Sequence, residues 1–135
     1  ERVTVRRELV PGQIWSLEQE QALDVLAMNI RCTVVKLKSG GLVVFSPQAP
    51  TEEFFALLDE LGPVQHIVLP TFALEHRVYI PAAARRYPAA KVWVAPGVWS
   101  APVDLPLRWL GIDAAGTLGG APGAGDHPPW ADEID

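Results

Sequence analysis

The chain has 135 residues, 49% hydrophobic and 20% charged, which is enough apolar material for one core and typical of a single globular domain. Its formal charge of −5, with the basic residues scattered instead of striped, argues against a nucleic-acid partner. No run of about 18 apolar residues exists to span a bilayer, because Arg31, Lys36 and Lys38 interrupt the richest segment, so a soluble or peripheral protein is expected.

In chain order, Ile14 to Leu17 reads as a short strand. Ile30 to Leu37 (IRCTVVKL) and Leu42 to Phe45 (LVVF) are β-branched apolar runs joined by Ser39, Gly40 and Gly41, which predicts a hairpin. Cys32, the single cysteine, lies in the first of these runs; it excludes an internal disulfide and reads as a core thiol. Thr51 is a favourable N-cap, Glu52 and Glu53 occupy the first turn, and Phe54, Leu57, Leu58 and Leu61 recur on one face before Gly62-Pro63. That pattern predicts a helix from Thr51 to Leu61. Ile67 to Leu69 follows as a buried strand, then a loop, then an Ala-rich helix from Pro81 to about Tyr87, then the strand Lys91 to Ala95, with Trp93 packed under a helix.

A hairpin followed by alternating helices and strands implies an α/β class with parallel pairing. After Pro96 the composition shifts to Pro and Gly, so residues 96–130 are expected to be an irregular segment within one domain covering 1–135, mobile between Gly111 and Gly125 unless a neighbour holds it. The acidic WADEID end, without a stop signal, suggests a natural chain that continues past Asp135, and Glu1 in place of Met leaves open a leader that was removed or is not included.

The segment IVLPTFALEHRVYIPAAARRYPAAKVWVAP resembles the strand, metal loop, helix and strand of the metallo-β-lactamase fold, whose members write the loop as HxHxDH. In that register the two leading histidines fall on Thr71 and Ala73, the aspartate on Glu75 and the last histidine on His76, and the register counted back from Tyr87-Pro88 agrees. The resemblance implies a half or truncated αββα sandwich. PGQIWSLEQ, TVVKLKSGGLVVFSPQAPTEE, VAPGVWSAP and PPWADEID extend it over residues 9 to 135, where the chain is similar to an uncharacterised metallo-β-lactamase-like family of cyanobacteria and of plant and algal plastids. A chloroplast address follows from that resemblance alone.

A catalytic zinc needs imidazole or carboxylate at three protein positions. Ala73 has no donor and the neutral hydroxyl of Thr71 competes poorly with imidazole, so no cofactor is the favoured expectation. The alternative is a reduced site collecting Glu75, His76 and the distant His127 around one zinc, iron or manganese ion for a metal-dependent hydrolase. The structural account of the same residues has Glu75 capping the next helical segment and His76 bonding a backbone carbonyl, with His66 a partly buried or rim residue. Ser46 lacks a GxSxG elbow, and Gly119-Gly120 forms no phosphate loop. Trp99, Trp109 and Trp130, in Pro-rich surroundings, fit a docked position on the domain's own sheet edge and a protein interface equally well. The favoured reading is a catalytically silent domain that binds a protein, as a peripheral subunit or assembly helper of a plastid photosynthetic membrane complex.

Overall fold

The structure is a computed structural model that describes residues 3–23, 26–98, 107–110, 112, 114–119 and 127–134. Its frame is a seven-stranded sheet in which every strand lies beside its chain neighbours. Strands β1 (Thr4–Val10), β2 (Ile14–Leu23), β3 (Leu26–Lys36) and β4 (Leu42–Phe45) form an antiparallel meander. From β4 the sheet turns parallel through β5 (Val64–Leu69), β6 (Lys91–Val94) and β7 (Ala114–Thr117). Helix α1 (Glu52–Asp59) links β4 to β5, and α2 (Leu74–Arg77) with α3 (Ile80–Arg86) links β5 to β6.

The expected hairpin is β3–β4, closed by bonds from Leu37 N–H to the Gly41 carbonyl (2.9 Å) and from Gly40 N–H to the Leu37 carbonyl (2.8 Å). Gly40 sits at φ +87°, where L side chains are strained, and a Cβ at Gly41 would come within 2.1 Å of the Gln65 side chain. Helix α1 starts as read: Thr51 Oγ1 accepts the Phe54 N–H at 3.1 Å. Arg6 anchors its other end to β1 by donating to the Leu57 carbonyl (2.9 Å) and pairing with Glu60 (2.8 Å).

Period-two alternation sorts the strand residues into two cores. On the helix side, Trp15, Leu17, Cys32, Val34, Leu42, Val44, Ile67, Leu69, Val92 and Val94 pack against Phe54, Phe55 and Leu58 of α1 and Ile80 and Ala83 of α3. Burial pushes the Cys32 thiol well above its ordinary pKa, keeping it a neutral core group. On the opposite face Leu37, Val43, Val68 and Trp93 form a smaller core closed by Trp130. Trp93 is therefore not under a helix, because Val92 and Val94 take that side and the residue between them must point away.

Three expectations about extent need correction. Strand β2 runs to Leu23, well past Leu17, and β3 begins at Leu26, earlier than Ile30. Strand β1 was not anticipated. Within the Pro/Gly-rich segment, Ala114–Thr117 is a strand held by β6, with Leu118 N–H donating to the Val94 carbonyl at 2.8 Å, and Leu107–Leu110 forms a 3-10 turn.

Candidate functional site

In parallel sheets, ligands bind beyond the carboxyl ends of the strands. Here that edge is made by three strand exits. After β4 comes Ser46, the one non-glycine residue with positive φ (54°) among the described residues, its N–H donating to the Val68 carbonyl at 2.8 Å. After β6 comes Ala95, whose N–H donates to the Leu69 carbonyl at 2.9 Å. After β5 comes Pro70 and the loop that reads as a metal motif.

The loop's backbone closes on itself. Thr71 Oγ1 accepts the Ala73 N–H at 3.1 Å, so its hydroxyl is engaged in a local turn. The Ala73 carbonyl then accepts from His76 (3.2 Å) and Arg77 (3.1 Å) to start α2, and Val78 N–H returns to the Leu74 carbonyl at 3.1 Å. Arg77 Nη1 donates to the Val98 carbonyl at 2.7 Å, tying the loop to the turn after β6.

Glu75 lies in the first turn of α2, as expected, but it is not a cap: Ala73 holds the cap position and no side chain bonds there. His76 is half-buried, and its Nδ1 is enclosed with no hydrogen-bond partner among the described residues. His127 is exposed. Among the described residues no three His, Cys, Asp or Glu side chains come together in a way that could hold a metal ion. Within the loop itself, the engaged hydroxyl of Thr71 and the methyl of Ala73 leave Glu75 and His76 as the carboxylate and imidazole donors.

What the sequence reading missed at this edge is apolar. Phe72 (62% exposed), Leu74 (60%) and Val78 (52%) stand in solvent. Leu74 and Val78 are four residues apart on one helical turn and so share a side. The signal was present in TFALEHRV, where apolar residues fall in a loop between Pro70 and Pro81 with no sheet face to occupy.

The tryptophans divide. Trp109 is 72% exposed on the 3-10 turn, whereas Trp130 is 4% exposed. Trp130 meets Trp93 edge-on at 5.1 Å and His66 at 4.7 Å between ring centroids, so this candidate contact residue serves the chain's own second core. Trp99 lies outside the described residues. His66 is buried in the same cluster, its Nδ1 accepting the Trp93 indole N–H at 3.3 Å. Burial first, and the Lys91 charge second, hold its imidazole below the ordinary pKa.

Residues 11–135 match the family described as Domain of unknown function (DUF4336). The chain belongs to that family. No curated protein matches this DUF4336 chain in sequence. Solved structures similar to it are metallo-β-lactamases. One from Pontibacter korlensis superposes with a TM-score of 0.58 at 14% identity, covering 72% of this chain and 46% of its own. The DIM-1 enzyme exposed to ceftazidime gives 0.64 at 10% identity, with 87% and 52% covered. The IND-7 enzyme gives 0.58 at 10%, with 84% and 51% covered. At these identities the likeness is one of fold, and the DUF4336 chain spans about half the length of each. Its mixed sheet with helices on one face is the truncated metallo-β-lactamase-like arrangement expected from the sequence.

Proposed function

We propose that this chain is a catalytically silent domain of metallo-β-lactamase fold that acts by binding another protein through the surface built on its 70–78 loop. The chemistry of that loop carries the reading. Thr71 and Ala73 offer an engaged hydroxyl and a methyl where the fold's metal motif places imidazoles, while Phe72, Leu74 and Val78 present apolar surface. Apolar surface gathered at one edge is a feature of sites covered by a partner. Trp109 adds an exposed aromatic ring of the type enriched in protein contacts.

The resemblance to a cyanobacterial and plastid family supplies the setting, a peripheral subunit or assembly helper of a photosynthetic membrane complex, and the missing donors at Thr71 and Ala73 supply the expectation of no cofactor. No helix among the described residues is long and apolar enough to cross a membrane, and a peripheral association is consistent with that.

One observation favours the other reading, a metal-dependent hydrolase: His76 Nδ1 is buried and has no hydrogen-bond partner among the described residues. Elemental analysis of the purified protein separates the two. The binding reading expects no stoichiometric metal; near-stoichiometric zinc, iron or manganese that disappears in His76→Ala overturns it. Sizing of the protein in its native extract completes the test. Wild type should elute with a larger assembly, and Phe72→Asp with Leu74→Asp should release it; elution as a free chain in both cases rules the proposal out.

A further inference from the structure

Strand β1 forms one end of the sheet, and its outer edge has no strand beside it among the described residues. Which of its backbone groups face outward is fixed by one bond. Thr4 N–H points away from β2 and donates to Glu53 Oε2 of α1 at 2.6 Å. In an antiparallel ladder inward and outward pairs alternate, so with Thr4↔Gln19 outward, Arg6↔Leu17 and Glu8↔Trp15 are outward as well. Arg6 and Glu8 therefore each present an N–H and a C=O at the open edge. The side chains beside them are exposed: Val5 at 46%, Leu9 at 54% and Val10 at 38%.

We propose that two copies of this chain associate by pairing their β1 strands antiparallel about Arg7, extending the sheet across a two-fold axis. The occupant is a second copy because the segment TVRRELV complements itself in one register only. With the axis through Arg7, Arg6 stands opposite Glu8 of the other copy, and Val5 opposite Leu9. Opposite charges and apolar side chains thus meet on both sides of the axis, the arrangement that stabilises cross-strand pairs; Arg6 keeps Glu60 and the Leu57 carbonyl through Nη1 and Glu8 keeps the Gly12 N–H through Oε1, so Arg6 Nη2 and Glu8 Oε2 are the atoms that face the other copy. A slide of two residues either way places Arg6 on Arg6 or Glu8 on Glu8, which like-charge repulsion disfavours.

The remaining like pair, Arg7 on its own image, sits beside a carboxylate that it shares with Arg31. Glu18 on β2 is the diagonal neighbour of Arg7, since Arg7 pairs with Ser16 and Val5 with Glu18. The contact is short by construction: Glu53 already satisfies the Thr4 N–H, and the bulge between Glu8 and Val10 turns the strand away. Both are devices that limit edge pairing, and they confine it to Arg6 and Glu8. A contact this small gives a weak, concentration-dependent dimer.

Sedimentation velocity across a concentration series, with amide exchange read at low and high concentration, tests this. A dimer should appear as concentration rises, with slowed exchange at Arg6 and Glu8 and no change at Arg7, whose N–H already pairs with β2. Glu8→Arg and Leu9→Asp, both at exposed positions, should each weaken association about tenfold or more while circular dichroism reports an intact fold. A chain that stays monomeric to about 1 mM overturns the proposal. So does a dimer that both variants leave intact, or one without protection at Arg6 and Glu8. Loop variants at Phe72 and Leu74 should leave this dimer untouched, which keeps its fate separate from that of the 70–78 surface.

Discussion

Protonating His66 deprives the Trp93 indole of its acceptor and places a charge between two tryptophan rings. Because burial holds the folded pKa below the ordinary 6.5, the unfolded chain takes up this proton first as pH falls. The stability owed to neutral His66 is therefore complete above about pH 6.5 and is lost as pH drops from there toward the folded value. Melting temperatures should be flat above about pH 7 and decline as the pH falls below about 6.5. His66→Asn should lower the plateau and flatten that decline; a wild-type melting temperature that rises on acidification across the window contradicts the assignment. His66 also shows what a single side chain conceals in sequence. Its parity with Val68 places it on the second face, but a core on that face becomes visible only once Trp130, 64 residues on, is known to return there. Thr71 and Ala73, by contrast, were legible outright, since the donors they lack follow from residue type.

At the level of single elements, α1 is where sequence and structure agree most closely, because a capping residue, two acids and an apolar stripe point the same way. Thr51→Ala removes the acceptor for the Phe54 N–H and should cost about 1 kcal/mol in a urea titration, with Thr51→Ser recovering most of it. No loss in the alanine variant means that the cap contributes nothing. Strands β1 and β2 were hard to read for a definite reason. Gln19 and Gln21 occupy inward positions of β2 where alternation predicts apolar residues. Gln19 is accommodated because its carboxamide accepts from the Ala49 N–H (3.0 Å) and donates to the Thr4 hydroxyl (3.0 Å) and the Ala49 carbonyl (3.2 Å), partners that only the tertiary fold supplies. In β1 the run Arg6-Arg7-Glu8 masks a strand whose charges are taken up by α1, by Gly12 N–H and by Glu18. Ala114–Thr117 carries no β signal of its own, and the parallel edge of β6 recruits it.

Across the whole molecule, the second face is covered by the segment at 127–134, whose anchor is Trp130. Removing that ring opens a cavity over Val43, Val68 and Trp93, and Trp130→Ala should cost about 3–5 kcal/mol, with Trp130→Phe costing clearly less. Chemical denaturation monitored by tryptophan emission measures both; an alanine variant as stable as wild type places the segment outside the cooperative unit. The α/β class was legible from the order of apolar runs and turn residues. The division of that sheet between two cores was not, because it depends on a return contact between distant parts of the chain.

Each strand of the sheet finds its partner in the stretch synthesised just before it, so loop closures along it are short and ordering can advance from β1 toward β7 while the ribosome is still at work. The bond from Lys38 N–H to Glu133 Oε2, at 2.7 Å, bridges 95 positions and has to wait until the chain has been made well past β7. Until Trp130 returns with that segment, Val43, Val68 and Trp93 lack the ring that closes their core.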